Sequence, residues 1–178
     1  QAFPLIEDEG ALARLVSDLY RELSGEYATQ SVTKGLRRYI AYAKNMMLNQ
    51  EEISQLDTGF EKFPELYSRY NQTLRRQRWM DYDDQMVYAK TILERYPHVL
   101  AHFQEAFPYI CVDESQDTSR IQHAIINLLA RKSGNIFLVG DEDQSIYGFR
   151  AAYPDALMQF ERTYPGARVL LMEENYRS

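Results

Sequence analysis

The sequence is short of several things, and each shortage excludes something. It has one cysteine, Cys111, so no internal disulfide can form and a reducing compartment is the expected setting. Cys111 lies inside "YICVD", where the expectation is a small buried apolar side chain with a structural role. No apolar run approaches the roughly 20 residues of a membrane span, and no basic-then-apolar leader opens the chain. The expected location is cytoplasmic, with no membrane partner. Positive charge is in deficit: 20 Lys and Arg against 26 Asp and Glu leave a net charge of −6. That balance argues against binding nucleic acid by overall electrostatics but leaves room for a local basic stripe. Low-complexity segments and repeats of fixed length are also missing.

What is present suits a folded chain. With 178 residues, 45% hydrophobic and 26% charged, it has material for one ordinary domain, or one domain with a smaller inserted piece. Helical periodicity runs through about residue 107. Leu12, Leu15, Val16, Leu19, Tyr20 and Leu23 recur at three- and four-residue steps, as do Leu36, Ile40, Ala43 and Met47, then Phe60, Phe63, Tyr67, Tyr70 and Leu74. A further helix is expected in "MDYDDQMVYAKTILERY", with Asp81 as its cap, Asp84 in its first turn and Pro97 ending it.

From Phe107 the pattern changes. "YICVD", "NIFLVGD" and "ARVLLME" read as strands, separated by the helix-length segments "TSRIQHAIINLLARKSG" and "YPDALMQFERTYPG". Such alternation predicts parallel strands joined by right-handed helical crossovers and buried on both faces. In open α/β sheets ligands bind beyond the carboxyl ends of the strands. Here "VDE" at 112–114 and "VGDEDQ" at 139–144 place acids there. An Asp in that position can hold a hydrated magnesium ion while a neighbouring Glu orients or deprotonates a water. Taken alone, a "DE" after an apolar run is read first as helix capping.

Three segments in order shift that balance. "VDESQDTS", "GDEDQSIYGFRAA" and "ENYRS" together resemble motifs II, III and IV of the UvrD/Rep/PcrA group of superfamily-1 DNA helicases. "MDYDDQMVYAKTIL" resembles the acidic segment that precedes motif II in that group, and the helices before it resemble its inserted accessory subdomain. The resemblance implies an α/β fold: a helical accessory subdomain over residues 1–80, then a partial RecA-like ATPase domain over 81–178. Carried over position by position, it implies that Asp113 helps hold magnesium, that Glu114 activates water, and that Gln116 and Asp117 complete the box and couple it to neighbouring motifs. It further implies that Gln144 senses the γ-phosphate, that Tyr147, Phe149 and Arg150 face single-stranded DNA, that Tyr176 stacks on adenine and that Arg177 reaches the γ-phosphate. The implied cofactors are ATP and Mg2+. The implied partners are single-stranded DNA, single/double-strand junctions and the rest of a helicase chain, with translocation in the 3′ to 5′ direction. Independently of the resemblance, an alternating Tyr-x-Phe-Arg run suits sequence-tolerant stacking of bases.

The resemblance is incomplete. No Gly-Lys pair occurs, so the glycine-rich loop that cradles phosphates is missing. Gln1 without a methionine and Ser178 just after a strand-like run suggest an internal fragment. The expectation is a chain that does not hydrolyse nucleotide by itself. Two rivals are a helicase–nuclease of the AddA/RecB type, disfavoured by Glu142 and Asp143 where that type carries lysine, and a non-enzymatic DNA-binding or interaction module. "DYDDQ" lacks the glycine and terminal glutamate of a calcium loop. His98 and His102 lack a third zinc ligand. Lys34, Arg37, Arg38 and Lys44, and later Arg75, Arg76 and Arg78 beside Trp79, are candidate basic faces for duplex phosphates.

Overall fold

Where apolar residues recur every three or four positions, helices form and bury that stripe together. In the computed structural model, which describes residues 3–141 and 160–170, these are α1 (Glu9–Ser24), α2 (Gln30–Asn45), α3 (Gln50–Ser54) and α4 (Phe63–Gln77). One core joins them: Leu12, Val16, Leu19 and Leu23 of α1, Leu36, Ile40 and Ala43 of α2, Ile53 of α3, and Phe63, Leu66, Tyr70 and Leu74 of α4. Each buried aliphatic side chain contributes about 1.5–3 kcal/mol relative to exposure. Local chemistry sets the ends. Asp8 accepts the Gly10 and Ala11 amides at 2.8 and 3.1 Å to start α1, and Gly25 at φ 80° stops it in the left-handed conformation that glycine tolerates.

Helix α5 (Tyr82–Arg95) begins as its sequence implies. Asp81 accepts the Asp84 amide at 2.8 Å while the Asp84 carboxylate accepts the Asp81 amide at 3.2 Å, a reciprocal capping box. The helix ends at Tyr96, and Pro97 opens α6 (Pro97–Ala106), where a missing amide hydrogen costs nothing.

The same carboxylates receive a cation from elsewhere in the chain. Lys44 Nζ of α2 lies 2.6 Å from Asp81 Oδ2 and 2.8 Å from Asp84 Oδ1, with side-chain exposures of 3%, 7% and 11% respectively. The Tyr70 hydroxyl of α4 donates to Asp81 Oδ2 at 2.8 Å. Burial alone would lower the Lys44 ammonium's pKa, but the two carboxylates outweigh it and hold it raised. This corrects the expected basic face on α2. Lys44 is withdrawn from the surface because an isolated buried charge is prohibitively costly and these partners neutralise it, and Arg37 is paired with Glu9. Lys34 and Arg38 remain exposed, as do Arg75, Arg76 and Arg78 around the end of α4.

Beyond α6 the two read strands appear as β1 (Ile110–Val112) and β2 (Ile136–Leu138), paired in parallel with Ile110 opposite Ile136 and Val112 opposite Leu138. Helix α7 (Arg120–Ala130) forms the crossover and packs along α5. The chain is thus mostly helical with a small parallel sheet, consistent with a partial RecA-like α/β fold. One expectation fails. The sheet is not buried on both faces among the described residues: Tyr109, Cys111 and Phe137 are exposed, Phe137 at 56%. Successive strand side chains alternate between faces. Ile110 and Val112 take the half-buried face, so Cys111 falls on the open one and is not the buried residue its neighbours suggested. Of the third strand-like run, residues 167–170 form no strand, and Val169 and Leu170 are exposed. A short helix, α8 (Phe160–Thr163), represents the described part of the preceding helical segment. No helix among the described residues is long and apolar enough to cross a membrane.

Candidate nucleotide-hydrolysis site

Parallel pairing brings the carboxyl ends of β1 and β2 side by side. The ladder continues past the strands through the Val139 amide to the Val112 carbonyl at 2.8 Å and the Ser115 amide to the Val139 carbonyl at 2.9 Å. Asp113 and Glu114 therefore sit beside Gly140 and Asp141.

The first acidic segment then turns sharply. Glu114 adopts φ 50° and ψ 43°, and a 3-10 turn, Ser115–Asp117, follows. A left-handed conformation at a non-glycine residue costs on the order of 1–3 kcal/mol and persists only where surroundings fix it. Here the Glu114 amide donates to Asp113 Oδ1 at 2.9 Å and the Asp117 amide to the Glu114 carbonyl at 2.9 Å. The turn leaves Asp113, Glu114 and Asp117 exposed while Ser115 and Gln116 are each 2% exposed.

Gln116 links the two strand ends. Its Nε2 donates to Glu114 Oε2 at 2.6 Å, and its Oε1 accepts the Asp141 amide at 3.0 Å. A neutral amide orients the Glu114 carboxylate without supplying a positive charge that would quench its basicity. Gly140 makes the approach possible: a Cβ there would lie 2.5 Å from Ser115 Oγ and 2.8 Å from Gln116 Oε1.

Of the residues singled out in the sequence, Asp113, Glu114, Gln116 and Asp117 come together in one turn. Gln144, Tyr147, Phe149, Arg150, Tyr176 and Arg177 lie outside the described residues. The sequence reading missed Gly140, Thr118 and His123. A glycine at a strand end, ahead of an acid, signals close backbone approach and could have identified Gly140. Nothing in the spacing of Thr118 and His123 marks them.

The donor set suits a hard cation. Asp113 and Glu114 offer carboxylate oxygens to solvent, and magnesium characteristically takes one or two carboxylates together with substrate phosphates. No cluster of three or more His, Cys, Asp or Glu residues fit to hold a metal occurs among the described residues. A solvent-open groove of about 380 Å³ between α1 and α4 is lined by Asp18, Glu22, Arg69 and Arg76 among others, and none of its residues comes from the acidic turn. Its Arg69 is already paired with Glu22 and Glu65.

Residues 1–165 match the UvrD/REP helicase N-terminal domain. The chain is 42% identical over 141 residues to the ATP-dependent DNA helicase PcrA of Leuconostoc citreum, covering 78% of this chain and 19% of that protein. It is 39% identical over 141 residues to the Bacillus subtilis (strain 168) protein of the same name, again over 78% and 19%. Identity reaches 44% over 113 residues with PcrA of Staphylococcus aureus (strain Mu50 / ATCC 700699), covering 64% of this chain and 16% of that protein. The chain spans about a fifth of the length of the curated relatives it matches.

Proposed function

The chain belongs to the UvrD/REP helicase N-terminal domain family, and from that membership we propose that it forms the hydrolytic half-site of an ATP-dependent DNA helicase. In that role Glu114 accepts the proton of the attacking water, and Asp113 supplies a carboxylate to the magnesium that accompanies ATP. Bound magnesium would offset charge on the phosphates. Gln116 holds Glu114 in register with Asp141, so that the two strand ends move as one. The observation that carries this reading is the Glu114–Gln116–Asp141 bridge across adjacent parallel strand ends.

The remaining assignments follow the family pattern. Gln144 and Arg177 would contact the γ-phosphate, Tyr176 the adenine, and Tyr147, Phe149 and Arg150 single-stranded DNA, with translocation 3′ to 5′ and unwinding at junctions. We place the division between accessory and ATPase units at residues 80/81. The chain contains no Gly-Lys pair, so the phosphate-cradling loop must come from outside these residues, and the 178-residue chain by itself is expected to be inactive.

The test is DNA-stimulated ATP turnover by the full-length protein that carries these residues, with and without Glu114→Gln. Loss of a general base typically costs about 10²–10⁴ in rate. A fall in kcat of at least about a hundredfold with ATP binding retained supports the reading. Undiminished turnover in E114Q refutes it. Faster unwinding of 3′-tailed than 5′-tailed duplexes checks the direction, and turnover by the isolated 178-residue chain would overturn its expected inactivity.

A further inference from the structure

We infer that His123 is a positioning residue for the proposed hydrolytic glutamate, acting through Thr118 to lock the backbone turn on which Glu114 stands. The inference rests on the helicase reading above but adds residues that neither the sequence motifs nor that reading assigned.

Ser119 caps α7, and the His123 amide makes a helical bond to its carbonyl at 3.0 Å. Side chains on a helix tilt toward its N-terminus, so the His123 ring leans back over the Ser115–Asp117 turn. There its Nε2 meets Thr118 Oγ1. Thr118 donates its single hydroxyl hydrogen to the Ser115 carbonyl at 2.6 Å. Its oxygen is then left to accept, which makes His123 Nε2–H the donor. His123 is 6% exposed, and burial lowers its pKa, which favours the neutral ring.

The imidazole thus fixes the hydroxyl that holds the main chain of Ser115, the residue directly after Glu114. That is where restraint matters, because Glu114 is held at φ 50° and would relax toward ordinary backbone angles if the turn loosened. Relaxation would swing its carboxylate off Gln116, which holds it at 2.6 Å. His123 touches neither Glu114 nor any reacting atom. Its effect is on where the carboxylate sits.

The experiment uses the full-length protein with His123→Phe, Thr118→Val and His123→Gln, measuring ATP turnover and amide hydrogen exchange at Asp117 and Thr118. Phe and Val fill the space but end the hydrogen bond, whereas a glutamine amide can donate near the position of Nε2. H123F and T118V should each lower kcat about ten- to a hundredfold, as small misplacements of a catalytic group do, with KM for ATP within about twofold. Exchange at both amides should rise about tenfold or more, and H123Q should restore most of both. Unchanged kcat and exchange in H123F and T118V would overturn the inference, and so would an H123Q variant as impaired as H123F. If the unsubstituted protein hydrolyses no ATP, the helicase reading fails, and exchange still decides the clasp: faster exchange upholds it and unchanged exchange overturns it.

Discussion

Replacing Lys44 with Met removes a cation from the buried ion network while keeping most of its stem packing. The substitution strips the ammonium from between Asp81 and Asp84, which it meets at 2.6 and 2.8 Å. None of the three side chains is more than 11% exposed, so water cannot take its place. Leaving a buried partner uncompensated costs about 3–5 kcal/mol, a large share of the roughly 5–15 kcal/mol that holds a domain folded. The capping box and the Tyr70 hydrogen bond survive the change, so the loss should not exceed that range. Burial raises the Asp84 carboxyl's pKa above its ordinary value, and the Lys44 charge is the largest influence lowering it. Without Lys44 it rises further, and the folded variant binds protons that the unfolded chain releases. Stability of the variant relative to the parent therefore rises as pH falls, so the deficit is widest near neutrality and narrows below about pH 5. Urea unfolding followed by circular dichroism at about pH 7 and pH 4.5 measures both quantities. Adding Asp81→Asn and Asp84→Asn to K44M should recover all but about 1–2 kcal/mol, since amide oxygens still accept the cap bonds. A K44M deficit under about 1 kcal/mol at neutral pH, or one that does not change with pH, would refute the reasoning.

Three further outcomes are expected. Gly140→Ala should destabilise the chain by about 1–3 kcal/mol through overpacking, because its Cβ would meet Ser115 Oγ at 2.5 Å and Gln116 Oε1 at 2.8 Å; adding Ser115→Ala should return part of that loss in urea titrations, and a neutral G140A would show that the strand ends lie further apart. Exposed Cys111 should react with a maleimide in the folded chain within about tenfold of its rate in urea, whereas protection by orders of magnitude would restore the buried reading. The lowered pKa of His123 means that the unfolded chain takes up a proton first as pH falls through about 6.5, so wild-type stability should drop across that window more than that of H123Q; parallel curves would place His123 in water.

The parts of this fold legible in the sequence are those that local spacing controls. Leu12, Val16, Leu19 and Leu23 advertise one face of α1, and all four are buried. Asp81 and Asp84 announce the start of α5 three residues apart, and their side chains cap it reciprocally. The acidic turn was legible for a similar reason, since Asp113, Glu114, Gln116 and Asp117 are neighbours along the chain. Lys44 was misread because its fate depends on carboxylates 37 and 40 positions later, and a lysine on an amphipathic helix otherwise reads as solvated. Cys111 was misread because an apolar run does not reveal which of a strand's two faces is covered. The link between His123 and Thr118 depends on how α7 leaves the turn, which the residues do not encode pairwise.

The end of α2 is where these misread residues acquire a common consequence. Lys44 grips the first turn of α5, and two residues on, the Met46 carbonyl accepts a hydrogen bond from Arg120 Nη1 at 3.3 Å. Arg120 opens α7, next to the Ser119 cap and three residues after Asp117. The end of α2 therefore holds both α5 and α7, one through a buried ion network and the other through a main-chain acceptor. Separating α2 from α5 would strand charges at a cost of about 3–5 kcal/mol, whereas giving up the Arg120 contact costs about 1.5–3 kcal/mol as a hydrogen bond to a charged group. Of the two ties to α2, the Arg120 contact is therefore the weaker, while α7 also stays packed along α5. The turn carrying Glu114 leads directly into α7, and the clasp from His123 ties its geometry to that helix.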